Sequence, residues 1–84
     1  MDDTTAAIRD YVLQEFLPGE ESDELTTSTP LITGGVLDSL ATLKLVAFLE
    51  ERFGVAIEAH ETGVDYMNTL GDIAALVAKK RGAH

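Results

Sequence analysis

Residues 34–55 read GGVLDSLATLKLVAFLEERFGV, and this stretch decides the fold. A glycine pair leads to an aspartate and a serine. Behind them, apolar residues recur every three or four positions, the spacing of an amphipathic helix. The helix is predicted from Ser39 to Arg52 or Phe53, with Gly54 ending it at the C′ position, where a left-handed backbone favours glycine. Thr42, Leu45, Val46, Leu49 and Phe53 form its core stripe. Leu40, Leu43 and Ala47, with Glu50 and Glu51, fall on another face. The segment is therefore apolar over more than the one side a core requires. Either it is central in a bundle, or its second face is offered to another molecule. Ser39 also has two readings. Asp38 or Ser39 can cap the helix, and a hydroxyl at this end also lies where the helix dipole favours a phosphate.

Working outward, Ile8, Tyr11, Val12 and Phe16 make one apolar stripe, predicting a first helix from about Thr4 to Leu17. Thr4 or Thr5 would cap it, and Pro18-Gly19 would stop it. Residues 18–36, rich in Gly, Ser, Thr, Glu and Pro, read as a long loop. Such a loop must cross the bundle for the next helix to pack on the first, with Leu25, Leu31 and Ile32 as its apolar tethers. After Gly54, a short helical turn is expected around Gly63 to Met67. A last helix starts from Thr69 as N-cap, with Asp72 in a near capping box. Its inner stripe is Leu70, Ile73, Ala74 and Val77, and Lys79, Lys80 and Arg81 sit where the dipole favours cations. The expectation is all-α: a small four-helix bundle of three main helices and one short one, with a long loop between the first and second.

A chain of 84 residues is enough for one small domain spanning 1–84. No cysteine is present, which removes disulfides and thiolate chemistry and fits a reducing, cytoplasmic setting. No apolar run reaches the ~20 residues that a membrane span needs, and the acidic start is unlike a secretory signal. Fifteen acids stand against six bases, a formal charge of −9. That balance disfavours nucleic acid and anionic lipid and steers the chain toward basic protein surfaces.

Catalytic groups are scarce. His60 and His84 are far apart in sequence and form no helical metal pair, so no metal site is expected. Glu20, Glu21, Asp23 and Glu24 lack the spacing of a calcium loop and read as a solvated acidic segment. No Gly-Lys-Ser/Thr follows Thr33-Gly34-Gly35, so these residues make no phosphate loop. Ser39 has no neighbouring base to activate it. The chain is not expected to be an enzyme.

Asp38-Ser39-Leu40 follows a Gly-rich loop and precedes an acidic amphipathic helix within a short acidic chain. This arrangement resembles the acyl carrier protein family, whose D-S-L motif opens the second helix, and the resemblance covers nearly the full length. It implies that Ser39 receives 4′-phosphopantetheine from coenzyme A through a separate phosphopantetheinyl transferase, with Asp38 assisting the transfer. Acyl groups would then ride as thioesters on the arm. The resemblance also implies that partners read the second helix through Leu40, Leu43, Lys44 and Ala47. Glu50 and Glu51 would meet basic docking patches on loading ligases, transferases and downstream synthases or modifying enzymes.

Lys44 departs from the pattern, because fatty-acid-synthesis members commonly carry an acid near this position. Together with GGVLDSL and YMNTL, it favours a discrete, monomeric carrier of a specialised pathway, with polyketide extender-unit carriers placed first. Aminoacyl, peptidyl and D-alanyl carriers are the alternatives. The two glycines are separated from Asp38 by Val36 and Leu37, unlike the usual peptidyl-carrier pattern. A rival from another class is an unmodified acidic interaction domain whose second helix docks a basic partner.

Overall fold

The structure is a computed structural model that describes residues 3–19 and 25–82. Among the described residues, four α-helices follow one another: α1 (Asp3–Phe16), α2 (Ser39–Phe53), α3 (Val64–Met67) and α4 (Leu70–Gly82). A 3-10 turn over Ala59–Glu61 precedes α3. No strand occurs among the described residues, as the helical periodicity predicts. The acidic group at Glu20, Glu21, Asp23 and Glu24, and the terminal His84, lie outside the described residues.

α1 starts one residue before the expected boundary. Asp3 occupies the first turn, where a carboxylate opposes the helix dipole. Thr4 and Thr5 are consequently helical instead of capping, and Thr5 is buried. Ile8 and Val12, one turn apart, are fully buried. Tyr11 lies nearly parallel to Phe48 of α2, with ring centroids 4.1 Å apart and planes 12° apart. Its hydroxyl donates to the Lys44 carbonyl at 3.2 Å, so one aromatic side chain joins α1 to α2 by stacking and by a hydrogen bond.

Leu25 and Leu31 enter the core as expected, and Leu37 joins them. Ile32, the third expected tether, is only half-buried. α2 buries Ala41, Leu45 and Leu49, a row with spacing of four. Thr42, Val46 and Phe53 of the expected stripe are half-buried. The stripe is displaced toward Ala41 and is narrower than the pattern suggested. Leu40 and Leu43 are left 62% and 66% exposed.

α4, not α2, is the central element, touching each of the other three helices. It buries Leu70, Ile73, Leu76 and Val77. Leu76 was not expected in the stripe, and Ala74 is half-buried. Thr69 Oγ1 accepts the Asp72 amide at 3.0 Å, capping the helix as predicted. Met67, the buried side chain of α3, joins the same core. Each large aliphatic side chain buried in this way contributes about 1.5–3 kcal/mol.

The basic end of α4 does more than oppose a dipole. Lys80 Nζ lies 2.6 Å from Glu61 Oε1, and that oxygen also accepts the Glu58 amide at 2.9 Å. Glu58 and Glu61 form a reciprocal capping box around the 3-10 turn. The segment before α3 is thereby fastened to α4 by an ion pair. No helix is long and apolar enough to cross a membrane among the described residues.

Candidate functional site

Asp38 has extended backbone, φ −87° and ψ −173°, and its Oδ1 accepts the Ala41 amide at 2.8 Å. Its carbonyl accepts the Thr42 amide at 2.9 Å. Both halves of Asp38 therefore cap α2, and Ser39 becomes its first helical residue. Ser39 is exposed, and its hydroxyl makes no hydrogen bond to any described residue. Of the two readings open to this serine, the capping role falls to its neighbour. What remains is a free primary hydroxyl at the positive end of a fifteen-residue helix.

The preceding loop is built tightly. The Leu31 carbonyl accepts the amides of Val36 at 2.8 Å and Leu37 at 2.9 Å, and the Ile32 carbonyl accepts that of Gly35 at 3.1 Å. Gly35 takes φ +85°, which a side chain would oppose. At Gly34, a Cβ would overlap the Pro30 carbonyl oxygen. The glycine pair thus satisfies two separate local demands, one of backbone angle and one of close approach. Leu37, buried at the end of this turn, anchors the chain immediately before Asp38.

Asn68, between α3 and α4, holds the same loop from the far side. Its Oδ1 accepts the amides of Ile32 at 2.9 Å and Thr33 at 3.0 Å, together with the Thr33 hydroxyl at 3.4 Å. Its carbonyl accepts the Leu31 amide. Sequence reasoning missed this residue, because no spacing connects it to a loop more than thirty residues earlier.

An open groove of about 520 Å³ runs beside Ser39. Leu37, Asp38, Ser39, Thr42 and Leu43 line one side, and Ile32, Thr62, Gly63 and Val64 complete it. Its walls are mainly apolar, with hydroxyls at Ser39, Thr42 and Thr62. An accessible serine opening onto such a groove suits a long flexible group joined through a phosphodiester. The phosphate would meet the helix terminus, while apolar and hydroxyl side chains would lie along the groove.

Leu40, Leu43, Lys44, Ala47 and Glu51 are all exposed on α2, and their spacing puts them on one stripe. Val64 of α3, 48% exposed, adds an apolar residue across the groove from Leu43. Glu50 departs from the expected row. It is half-buried, and its Oε2 accepts the Ile57 amide at 2.9 Å. Its carboxylate thus secures the chain after α2 in place of standing free beside Glu51.

No family profile matches the chain. Curated relatives do. The D-alanyl carrier protein of Streptococcus sanguinis is 33% identical over 72 residues, covering 86% of this chain and 89% of that protein. The D-alanyl carrier proteins of Streptococcus gordonii and Streptococcus thermophilus match with the same identity and coverage. The chain belongs to the phosphopantetheine-dependent carrier proteins. Such carriers hold acyl groups on a 4′-phosphopantetheine arm and are not themselves enzymes. The carrier fold also appears in a solved structure described as the crystal structure of an FAD-dependent dehydrogenase. There, one chain is similar at a TM-score of 0.76 and 31% identity, over 83% of this carrier and 97% of that chain. With so little of it left uncovered, the matched chain is itself of carrier size.

Proposed function

We propose that the chain is one carrier domain with its 4′-phosphopantetheine arm on Ser39, and that it shuttles an aminoacyl thioester of the D-alanyl type. The observation that carries this reading is the division of labour at the start of α2. Asp38 caps the helix, so the Ser39 hydroxyl is exposed and free to react. Ser39 Oγ is the nucleophile in arm addition, and the base that takes its proton belongs to the transferase, since no histidine lines the groove and its one carboxylate, Asp38, is engaged in capping α2. The helix terminus then faces the new phosphodiester with partial positive charge. The arm supplies a terminal thiol for thioester formation, chemistry that a chain without cysteine lacks.

The D-alanyl reading takes its support from the names of the curated relatives. They favour it over the extender-unit reading that the sequence alone placed first. Leu40, Leu43, Lys44, Ala47 and Glu51 form the face offered to the loading ligase and to the acceptor enzyme. Exposed pairs on such a face contribute about 0–1 kcal/mol each, so they select partners and speed encounter more than they tighten the complex. That suits a protein that must dock, deliver and leave.

Intact mass after incubation with coenzyme A and a promiscuous phosphopantetheinyl transferase tests the attachment. One arm is expected on the wild-type chain and none on Ser39→Ala. A wild-type chain without added mass, or a Ser39→Ala chain with it, would overturn the assignment. Loading the arm-bearing carrier with D-alanine, ATP and a D-alanine-activating ligase then tests the cargo. Refusal of D-alanine, with acceptance of a malonyl-type unit, returns the extender-unit reading.

The solved structure supports a second reading, in which the carrier presents its thioester to a flavin enzyme. Two electrons and two protons would pass from the cargo to FAD. Mixing the loaded carrier with that dehydrogenase without oxygen should bleach the flavin, and unchanged absorbance removes this reading.

A further inference from the structure

We infer that Asn68 is a positioning residue for Ser39, acting through the loop that carries the serine. This rests on the reading of Ser39 as the attachment site, but its geometry can be tested separately. Asn68 Oδ1 faces the amides of Ile32 and Thr33 at 2.9 and 3.0 Å and the Thr33 hydroxyl at 3.4 Å. Three donors converge on one oxygen. That fixes which end of the amide points at the loop, because the NH₂ end has nothing to accept with.

From this oxygen the order passes toward Ser39 in short steps. Asn68 holds residues 31–33, with its own carbonyl adding the Leu31 amide. The Leu31 carbonyl holds Val36 and Leu37 at 2.8 and 2.9 Å. Leu37 is buried and joined directly to Asp38, whose carboxylate fixes the start of α2. Each link is a hydrogen bond or a peptide bond, and Ser39 is the first residue beyond them. The same clasp sets the width of the groove. Ile32, in the clasped loop, and Thr62, Gly63 and Val64, before and within α3, are walls of a single groove. Asn68 immediately follows α3 and binds the Ile32 backbone across it. Loss of this acceptor leaves two amides and a hydroxyl without their protein partner and lets the loop part from the α3–α4 junction.

Asn68→Ala removes the acceptor and keeps the backbone bond to Leu31. Asn68→Asp restores an oxygen at the same place. Two measurements decide the matter. Amide hydrogen exchange of the arm-free protein should show Ile32 and Thr33 protected in the wild type and in Asn68→Asp, and fast in Asn68→Ala. This readout needs neither arm nor partner. Steady-state arm addition, with rates corrected for the folded fraction by circular dichroism, should show kcat lowered about ten- to a hundred-fold in Asn68→Ala with KM little changed, because a nucleophile displaced by about 1 Å reacts slowly while its docking face is intact. Asn68→Asp should recover to within about three-fold, since its carboxylate accepts the same donors.

Wild-type exchange in Asn68→Ala, wild-type arm addition in Asn68→Ala, or an Asn68→Asp as slow as the alanine variant would each overturn the inference. A wild-type chain that takes no arm would overturn the Ser39 reading instead, and the exchange measurement alone would then decide the clasp.

Discussion

Asp38 and Ser39 divide between them two tasks that either could perform: the aspartate accepts the Ala41 amide at 2.8 Å, and the serine hydroxyl is exposed and unbonded among the described residues. Substitution should separate them. Asp38→Ala is expected to lower stability by about 1 kcal/mol, the ordinary cost of a lost cap. Ser39→Ala should stay within roughly 0.5 kcal/mol of wild type. Urea unfolding followed by circular dichroism measures both. A Ser39→Ala loss as large as that of Asp38→Ala would return the capping role to the serine.

Glu61 and Lys80 predict a pH dependence. The Lys80 ammonium, then the Glu58 amide, hold the Glu61 carboxyl below its ordinary value, against the upward push of burial. The unfolded chain therefore binds a proton more readily than the folded one. The pair's stabilisation is present above the unfolded glutamate pKa of about 4.3, and it is lost as pH falls through the lower folded value. Melting temperature measured from pH 7 to pH 3 should fall less steeply in Glu61→Gln than in wild type. Parallel curves would show that this pair has no part in the acid limb.

Gly34 cannot take a side chain without moving the Pro30 carbonyl. Gly34→Ala should destabilise by about 1–3 kcal/mol, as overpacking does, and should slow arm addition by disturbing the turn before Ser39. Gly82→Ala, with open space at its Cβ, is the matched control. Equal melting temperatures for the two variants would contradict the close approach.

The exposed face of α2 should answer to charge and not to stability. Leu43→Ala, at a residue 66% exposed, is expected to leave unfolding within roughly 0.5 kcal/mol of wild type while raising KM in ligase loading. Lys44→Glu should preserve the fold and shift preference toward partners with basic docking surfaces. Competition between two partner enzymes reads that shift, and an unchanged ratio would remove Lys44 from the interface. Glu50→Gln should affect folding more than docking, because the Glu50 carboxylate accepts the Ile57 amide.

The parts of this fold legible in the sequence are those with a local rule. Gly54 ends α2 in the left-handed region at φ +68°, as its place after the last periodic residue predicts. Thr69 caps α4 because a hydroxyl three residues before an amide can reach it. The order of Asp38 and Ser39 at a helix start marks both residues, although only the folded backbone separates cap from free hydroxyl. What escaped is set by distant partners. Asn68 reaches a loop more than thirty residues earlier, and Lys80 finds Glu61 through the packing of α4. Glu50 turns inward because an amide seven residues on needs an acceptor. No period in a one-dimensional pattern encodes such meetings. The narrow stripe of α2 is illegible in the sequence for a related reason: α4 fills the centre, so α2 need bury only one row.

The stacked pair Tyr11 and Phe48 has a practical consequence. With no tryptophan and only two tyrosines in the chain, the near-ultraviolet dichroism of the native state comes chiefly from Tyr11 and Tyr66. Tyr11 sits in a fixed asymmetric setting, with its ring on Phe48 and its hydroxyl on the Lys44 carbonyl. Subtracting the spectrum of Tyr11→Phe isolates its contribution. The protein thus contains its own optical gauge of how α1 sits on α2, and it needs no added label. Because the gauge touches the backbone of Lys44, it can be read while a partner enzyme is added, and a change in it would report closure over the face proposed for docking.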